Sequence, residues 1–155
     1  EQIADALSEF RGVEHRQEWV REVNGIGYIN DTTATAPAAT MAAIETLTPS
    51  ARGIVLIAGG ADKSLDFSEL ARVITQRVRA VILLEGSATD QLARALPSEI
   101  IAGRFDDLQR AVERAHAIAR TGEIVLLSPA CASFGMFANE FERGELFKDI
   151  VNRLR

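Results

Sequence analysis

Cysteine is almost missing from this chain of 155 residues: Cys131 stands alone, so no intrachain disulfide can form. That fits a reducing compartment, and the expected location is cytoplasmic. Histidine is nearly as scarce, with two residues in all. Neither they nor the cysteine show metal-ligand spacing, so no metal site is expected on this chain. Basic residues do not exceed acidic ones: 17 Lys and Arg stand against 22 Asp and Glu, for a net charge of -5. This balance argues against nucleic acid or an anionic membrane as a partner. No apolar run approaches the roughly 20 residues that span a bilayer. Two familiar phosphate-binding loops are also missing, the Gly-x4-Gly-Lys-[Ser/Thr] loop and the Gly-x-Gly-x-x-Gly fingerprint. The opening Glu1-Gln2-Ile3 has neither an initiator Met nor a signal-peptide pattern, and the chain is expected to begin inside a larger protein.

What is present is ordinary globular material, 47% hydrophobic and 25% charged, and residues 1–155 are expected to form one domain. Ile3, Ala6, Leu7 and Phe10 recur at helical spacing, and Gly12 stops that helix. Two β-rich runs, 17–23 and 26–29, flank Asn24-Gly25, a strong hairpin signal. A helix follows over 37–47, with Thr35 or Ala36 near its cap and Pro37 in its first turn. Strand and helix then alternate. Strands are expected at 53–58 (GIVLIA), 80–84 (AVILL), 99–102 and 123–127 (EIVLL), and helices at 67–78, 88–96, 108–119 and 139–154. Unbroken apolar strands between amphipathic helices imply a parallel sheet covered on both faces. The fold expected is a three-layer Rossmann-like α/β domain, its sheet mostly parallel with an antiparallel edge strand.

In such a fold ligands bind where strands end, and three loops there have unusual composition. The first, Asn30-Asp31-Thr32-Thr33-Ala34-Thr35-Ala36-Pro37, crowds amide, carboxylate and hydroxyls onto a strand end. It reads equally as a capping cluster or as a cradle for a polar, anionic ligand. The second, Gly59-Gly60-Ala61-Asp62-Lys63-Ser64-Leu65-Asp66, offers close backbone approach and a cation, or else a turn with a solvated lysine. Asp66 is placed to cap the helix that follows. The third, Ser128-Pro129-Ala130-Cys131-Ala132-Ser133-Phe134-Gly135, combines small residues with two hydroxyls. Cys131 lacks a histidine partner and is not read as a nucleophile, and His116 is read as structural. His15-Arg16, just before the first strand, is a pair that can stack on a base and grip phosphate.

Taken in order, these elements resemble the C-terminal domain of the Mur ligases. Ile29-Asn30-Asp31-Thr32-Thr33-Ala34-Thr35 is similar to that family's Asn-Asp-(Ser/Thr)-(Lys/Thr)-Ala-Thr signature. The 59–67 loop resembles its glycine-lysine loop, and Ser128-Pro129-Ala130-Cys131-Ala132-Ser133 its late serine loop. The form of the first loop fits the D-glutamate-adding branch best.

The resemblance implies a full enzyme that joins D-glutamate to UDP-N-acetylmuramoyl-L-alanine through an acyl phosphate made with ATP and Mg2+. The ATP loop, the magnesium ligands and the UDP-binding domain are expected outside this chain, which alone should be inactive and carry no catalytic residue. By motif position Thr35, Lys63, Ser133 and Phe141 hold D-glutamate, while His15, Arg16, Asn30 and Asp31 face the nucleotide. Two positions depart from the pattern. Thr33 stands where the family often has Lys, and Asn139-Glu140-Phe141 replaces Asn-Phe-Glu. The aromatic contact is therefore either Phe141 in a shifted position or is replaced by Glu140. Two alternatives stay open: a stand-alone nucleotide or small-acid binding module, and a sister Mur or folylpolyglutamate-type ligase with another acceptor.

Overall fold

The computed structural model describes residues 12–61 and 64–155. The expected helix over residues 3–10 lies outside them. The order of elements is β1 (Glu18–Val23), β2 (Ile26–Asn30), α1 (Pro37–Leu47), β3 (Ile54–Gly59), α2 (Ser68–Arg77), β4 (Ala80–Leu84), α3 (Thr89–Ala95), β5 (Ile101–Phe105), α4 (Leu108–Ile118), β6 (Ile124–Leu127) and α5 (Glu140–Arg153). Six strands form one sheet in the order β1-β2-β6-β3-β4-β5. The β1–β2 hairpin, turning at Asn24 and Gly25 with both in the left-handed region, is antiparallel; every other pair is parallel.

The central strands β3, β4 and β6 are buried along their whole length because helices cover both faces. On one face Leu56, Ala58, Val81, Leu83 and Leu126 pack with Ile44 of α1 and Leu70 and Ile74 of α2. On the other Val55, Ile57, Ile82, Val125 and Leu127 meet Val112 and Ala115 of α4 and Phe147 and Ile150 of α5. Each fully buried Leu, Ile or Val contributes about 1.5–3 kcal/mol. Because β2, β6, β3, β4 and β5 run parallel, their carboxyl ends share one edge of the sheet. His116 supports the second layer, its Nδ1 lying 2.5 Å from the hydroxyl of buried Tyr28.

One strand sits later than its pattern suggested. Residues 98–100 wind into a short 3-10 turn after Pro97, and β5 runs over Ile101–Phe105 rather than 99–102. The strand is at the sheet edge, where half-exposure tolerates Gly103 and Arg104, and its register shifts between Val81 and Ile82 of its neighbour. The helix caps also differ in detail. Ala36 precedes α1 without a side-chain cap, whereas Asn139 accepts the Glu142 amide at 2.9 Å and starts α5. Asp66 lies one residue ahead of the cap position of α2 and accepts from the Ser68 amide and hydroxyl. No helix of the described residues is long and apolar enough to cross a membrane.

Candidate functional site

The strand order brings the ends of β2, β6 and β3 side by side, so the three unusual loops meet at one edge of the sheet. They are sewn together through their main chains. The Ala130 amide donates to the Ala34 carbonyl at 2.9 Å, joining the third loop to the first. Ala61 and Ala132 exchange amide–carbonyl hydrogen bonds of 2.9 and 3.3 Å, joining the second to the third. Gly59 donates to the Pro129 carbonyl at 2.9 Å. Gly60, at φ +142, has the Ala132 carbonyl so close to the place of an absent Cβ that only glycine fits there.

Arg143 of α5 lies under this junction, 1% exposed. Its Nε donates to Thr32 Oγ1 and its Nη2 to the Thr32 carbonyl, both at 2.9 Å, and the guanidinium reaches the Cys131 carbonyl at 3.4 Å. Burial lowers its pKa to about 10, so it stays cationic near neutral pH. Among the described residues it forms hydrogen bonds only to neutral oxygens. With no carboxylate hydrogen-bonded to it, and the charge of Glu140 acting only from a distance, the guanidinium adds a positive potential beneath the loops, which suits an anionic guest. Its neighbour Gly144 lets the helix come this close: a Cβ there would sit 2.5 Å from His15 Nδ1 and 2.6 Å from a Thr32 methyl. Sequence reasoning passed over both residues.

The hydroxyls sort into two groups. Thr32 Oγ1 donates to the Glu140 carbonyl at 2.8 Å, Thr33 Oγ1 donates to the His15 carbonyl at 3.0 Å, and Ser128 Oγ donates to Asp31 Oδ2 at 2.7 Å. These three tie the loops down. Thr35, half-buried, and Ser133, almost buried, have side chains that no described residue engages by a hydrogen bond. Lys63 falls outside the described residues; Ala61, two places before it in sequence, is bonded to Ala132, the residue before Ser133.

Arg16 and Asp31 share a second cleft of about 240 Å³ with Thr33, floored by Ala34, Ala39 and Ala42. The Asp31 carboxylate is 3% exposed and accepts from the Gln17 amide at 3.1 Å as well as from Ser128. Burial pushes its pKa up, and the hydrogen bonds from Ser128 and Gln17 and the charge of Arg16 only partly offset this. His15 and Asn30 turn the other way. Asn30 is fully buried, with Nδ2 3.0 Å from both His15 Nδ1 and Glu18 Oε2 and its Oδ1 accepting from the Thr32 amide at 3.3 Å. The second His15 nitrogen lies 3.1 Å from Glu145 Oε1. Of the four residues read as facing a nucleotide, two open on the cleft and two brace the turn behind it.

Phe141, 51% exposed, packs edge-on against the His15 ring at 5.5 Å between centroids. That places it on the His15 side of the site. The exposed aromatic next to Ser133 is Phe134, at the head of a turn closed by the Phe137 amide and the Ser133 carbonyl at 3.1 Å.

A family model described as the Mur ligase, glutamate ligase domain, matches residues 15–131. The chain belongs to the Mur ligase family. The match takes in the whole sheet, the first two loops and the third as far as Cys131, and the family's C-terminal α/β fold is the one observed. A curated relative from Roseiflexus sp. (strain RS-1), named UDP-N-acetylmuramoylalanine--D-glutamate ligase, is 58% identical over 96% of the chain and 32% of its own length. One of the same name from Pseudomonas fluorescens is 47% identical over 96% of the chain and 33% of its own length. The Mur ligase domain therefore spans about a third of the relatives it matches. Among solved structures, the MurF ligase from Thermotoga maritima in complex with ADP superposes with a TM-score of 0.66 at 18% identity, over 96% of this chain and 34% of that one. At that identity the likeness is one of fold.

Proposed function

We propose that this domain binds the incoming amino acid for an ATP-dependent ligase that adds D-glutamate to UDP-N-acetylmuramoyl-L-alanine through an acyl phosphate. The single observation that carries the reading is the sorting of hydroxyls. Thr35 and Ser133, the two that the family motif assigns to D-glutamate, are the two left unengaged by their own loops, and those same loops are bonded to a buried cation through Thr32 and Cys131.

D-Glutamate brings two carboxylates, and charge-assisted hydrogen bonds are the strongest donors for them. Thr35 and Ser133 donate hydroxyl protons, Lys63 supplies the point charge, and Arg143 adds background potential from below without contact. Carboxylates held at both ends leave the amine as the free end of the molecule, and placing it in line with an acyl carbon is a positioning task. The amine must be uncharged to attack. Phe134, beside Ser133, is better placed than Phe141 to lie against the acid's methylene carbons.

ATP and Mg2+ are assigned mainly to segments beyond this chain, and the nucleotide, when bound, would supply the phosphoryl group that activates the carboxylate of UDP-N-acetylmuramoyl-L-alanine as the acyl donor. On this side the cleft of Arg16, Asp31 and Thr33 has one cation, one carboxylate and a hydroxyl. That donor set fits a phosphate edge or a sugar hydroxyl. His15 and Asn30 act by holding the Arg16 turn. The domain by itself should not turn over, and its rotation onto the rest of the ligase would exclude water from the acyl phosphate.

The test is phosphate release by the full-length ligase supplied with ATP, UDP-N-acetylmuramoyl-L-alanine and one amino acid at a time. D-Glutamate should support turnover where L-glutamate and L-lysine do not, and Lys63→Ala should raise KM for D-glutamate. Turnover with L-glutamate or L-lysine in its place would reassign the domain to a sister or folylpolyglutamate-type ligase. Loss of all D-glutamate affinity by calorimetry in the full-length protein would overturn the reading altogether.

A further inference from the structure

The turn that carries Arg16 is unusual in its own right. Gly12, His15 and Gln17 all have positive φ, of 86°, 65° and 45°, and a single 3.1 Å hydrogen bond from the Arg16 amide to the Val13 carbonyl closes it. Left-handed backbone at non-glycine residues costs free energy and persists only where surroundings impose it. The surroundings here are charged. Glu14, Glu18 and Glu145 converge on the turn, and Lys148 of α5 stands among them with its side chain 16% exposed. Its Nζ lies 2.7 Å from Glu14 Oε1, 2.8 Å from Glu145 Oε1 and 3.5 Å from Glu18 Oε1.

Each of these carboxylates touches the turn. Glu18 Oε2 accepts from the His15 amide at 2.9 Å and from Asn30, and Glu145 meets the His15 ring. Glu14 is itself a turn residue. Glu14, His15 and Glu145 also present oxygen and nitrogen atoms within 4.8 Å of one another, as cation ligands do. The position among the two carboxylates is already filled by the Lys148 ammonium, so this is an internal cation rather than a metal site. Burial opposes the charge on Lys148, but its carboxylate partners outweigh it and raise its pKa.

We propose that Lys148 is a positioning residue for nucleotide binding: by neutralising Glu14, Glu18 and Glu145 it holds the left-handed turn that aims Arg16 into the cleft beside Asp31. Without it three carboxylates repel across the turn, which opens, and Arg16 loses its fixed aim. The inference rests on the reading of Arg16 as a nucleotide contact.

The experiment uses two readouts. In this chain, Lys148→Met should lower the hydrogen-exchange protection of the Arg16 amide while leaving that of Ala130 and Ala132 unchanged. In the full-length ligase it should raise KM for ATP about five-fold, the change expected from one partly buried ion pair, with KM for D-glutamate unaltered. Lys148→Arg should restore both. Lys148→Met combined with Glu14→Gln and Glu145→Gln should also recover most of the KM for ATP, because the repulsion goes with the charges. Unchanged protection at Arg16, or lowered protection with an unchanged KM for ATP, overturns the proposal. An equal rise in KM for D-glutamate shows a general loss of structure and overturns it too. A wild-type ligase that does not consume ATP defeats the functional reading alone, and the exchange result then still decides the role of Lys148 in the turn.

Discussion

The two halves of the site are held by different forces. The half proposed to hold the amino acid, around Ala34, Ala61, Ala130 and Ala132, is stitched main chain to main chain by hydrogen bonds between neutral groups. The half proposed to face the nucleotide, around His15 and Arg16, is held by side chains and largely by charge. Neutral backbone bonds inside a sheet edge respond little to salt or pH, whereas exposed ion pairs respond to both. One half is therefore a fixed socket and the other an adjustable arm, and α5 touches both, through Arg143 on the first and through Gly144, Glu145 and Lys148 on the second.

The contrast is easiest to break at Arg143. Arg143→Ala leaves the Thr32 and Cys131 carbonyls without their donor and opens a cavity, and should cost about 3–5 kcal/mol of unfolding free energy. Urea denaturation measures the loss, and exchange protection should fall first at Ala130 and Ala132. Gly144→Ala acts on the other half. Its methyl group meets the His15 ring and Thr32, an overpacking cost of about 1–3 kcal/mol, with protection lost first at His15 and Arg16.

Acid acts with opposite sign on two carboxylates near Arg16. Asp31 has its pKa raised above the ordinary 3.8 by burial, so its contribution favours the fold at low pH and is lost as pH rises through the native value. Relative to wild type, Asp31→Asn should be more stable near neutral pH than in acid, by about 1.4 kcal/mol for each pKa unit of the shift. Urea midpoints of both proteins across the acid range test this, and a constant difference would refute it. Glu14 behaves oppositely. Lys148 holds its carboxyl below the ordinary 4.5, so its contribution is present above that value and fades as pH falls through the native one. The smallest effect is that of salt: raising ionic strength should speed exchange at Arg16 and leave Ala130 and Ala132 alone.

The sheet was largely legible because GIVLIA, AVILL and EIVLL are apolar without alternation, which only a strand covered on both sides requires. The three loops were legible for a related reason: polar residues directly after such strands have few other uses. What the sequence did not reveal was which of those polar groups turn inward. Asn30 has the same chemistry as a ligand-facing group, and only the neighbouring His15 and Glu18 bring it into the interior, while Asp31 stays at the cleft with its oxygens held by Ser128 and Gln17. Arg143 went unnoticed, because a charged residue in an amphipathic helix carries no signal of burial. A signal did stand beside it: glycine inside a helix costs about 1 kcal/mol relative to alanine, and Gly144 points to a close approach that the helical pattern alone does not explain. Strand β5 was misplaced because an edge strand with Gly103 and Arg104 lacks the uninterrupted apolar run of its neighbours.

The mutual bridge between Ala61 and Ala132 has a consequence for how such a site changes over generations. Its bonds use no side chain, so the geometry of the socket is indifferent to what the neighbouring positions carry, glycine's own place excepted. Thr35, Lys63 and Ser133, the donors proposed for the amino acid, can be exchanged for others while the bridge between Ala61 and Ala132 is kept. A new acceptor molecule then demands a few substitutions rather than a new architecture, and the innovation can proceed one residue at a time without passing through an unfolded ancestor.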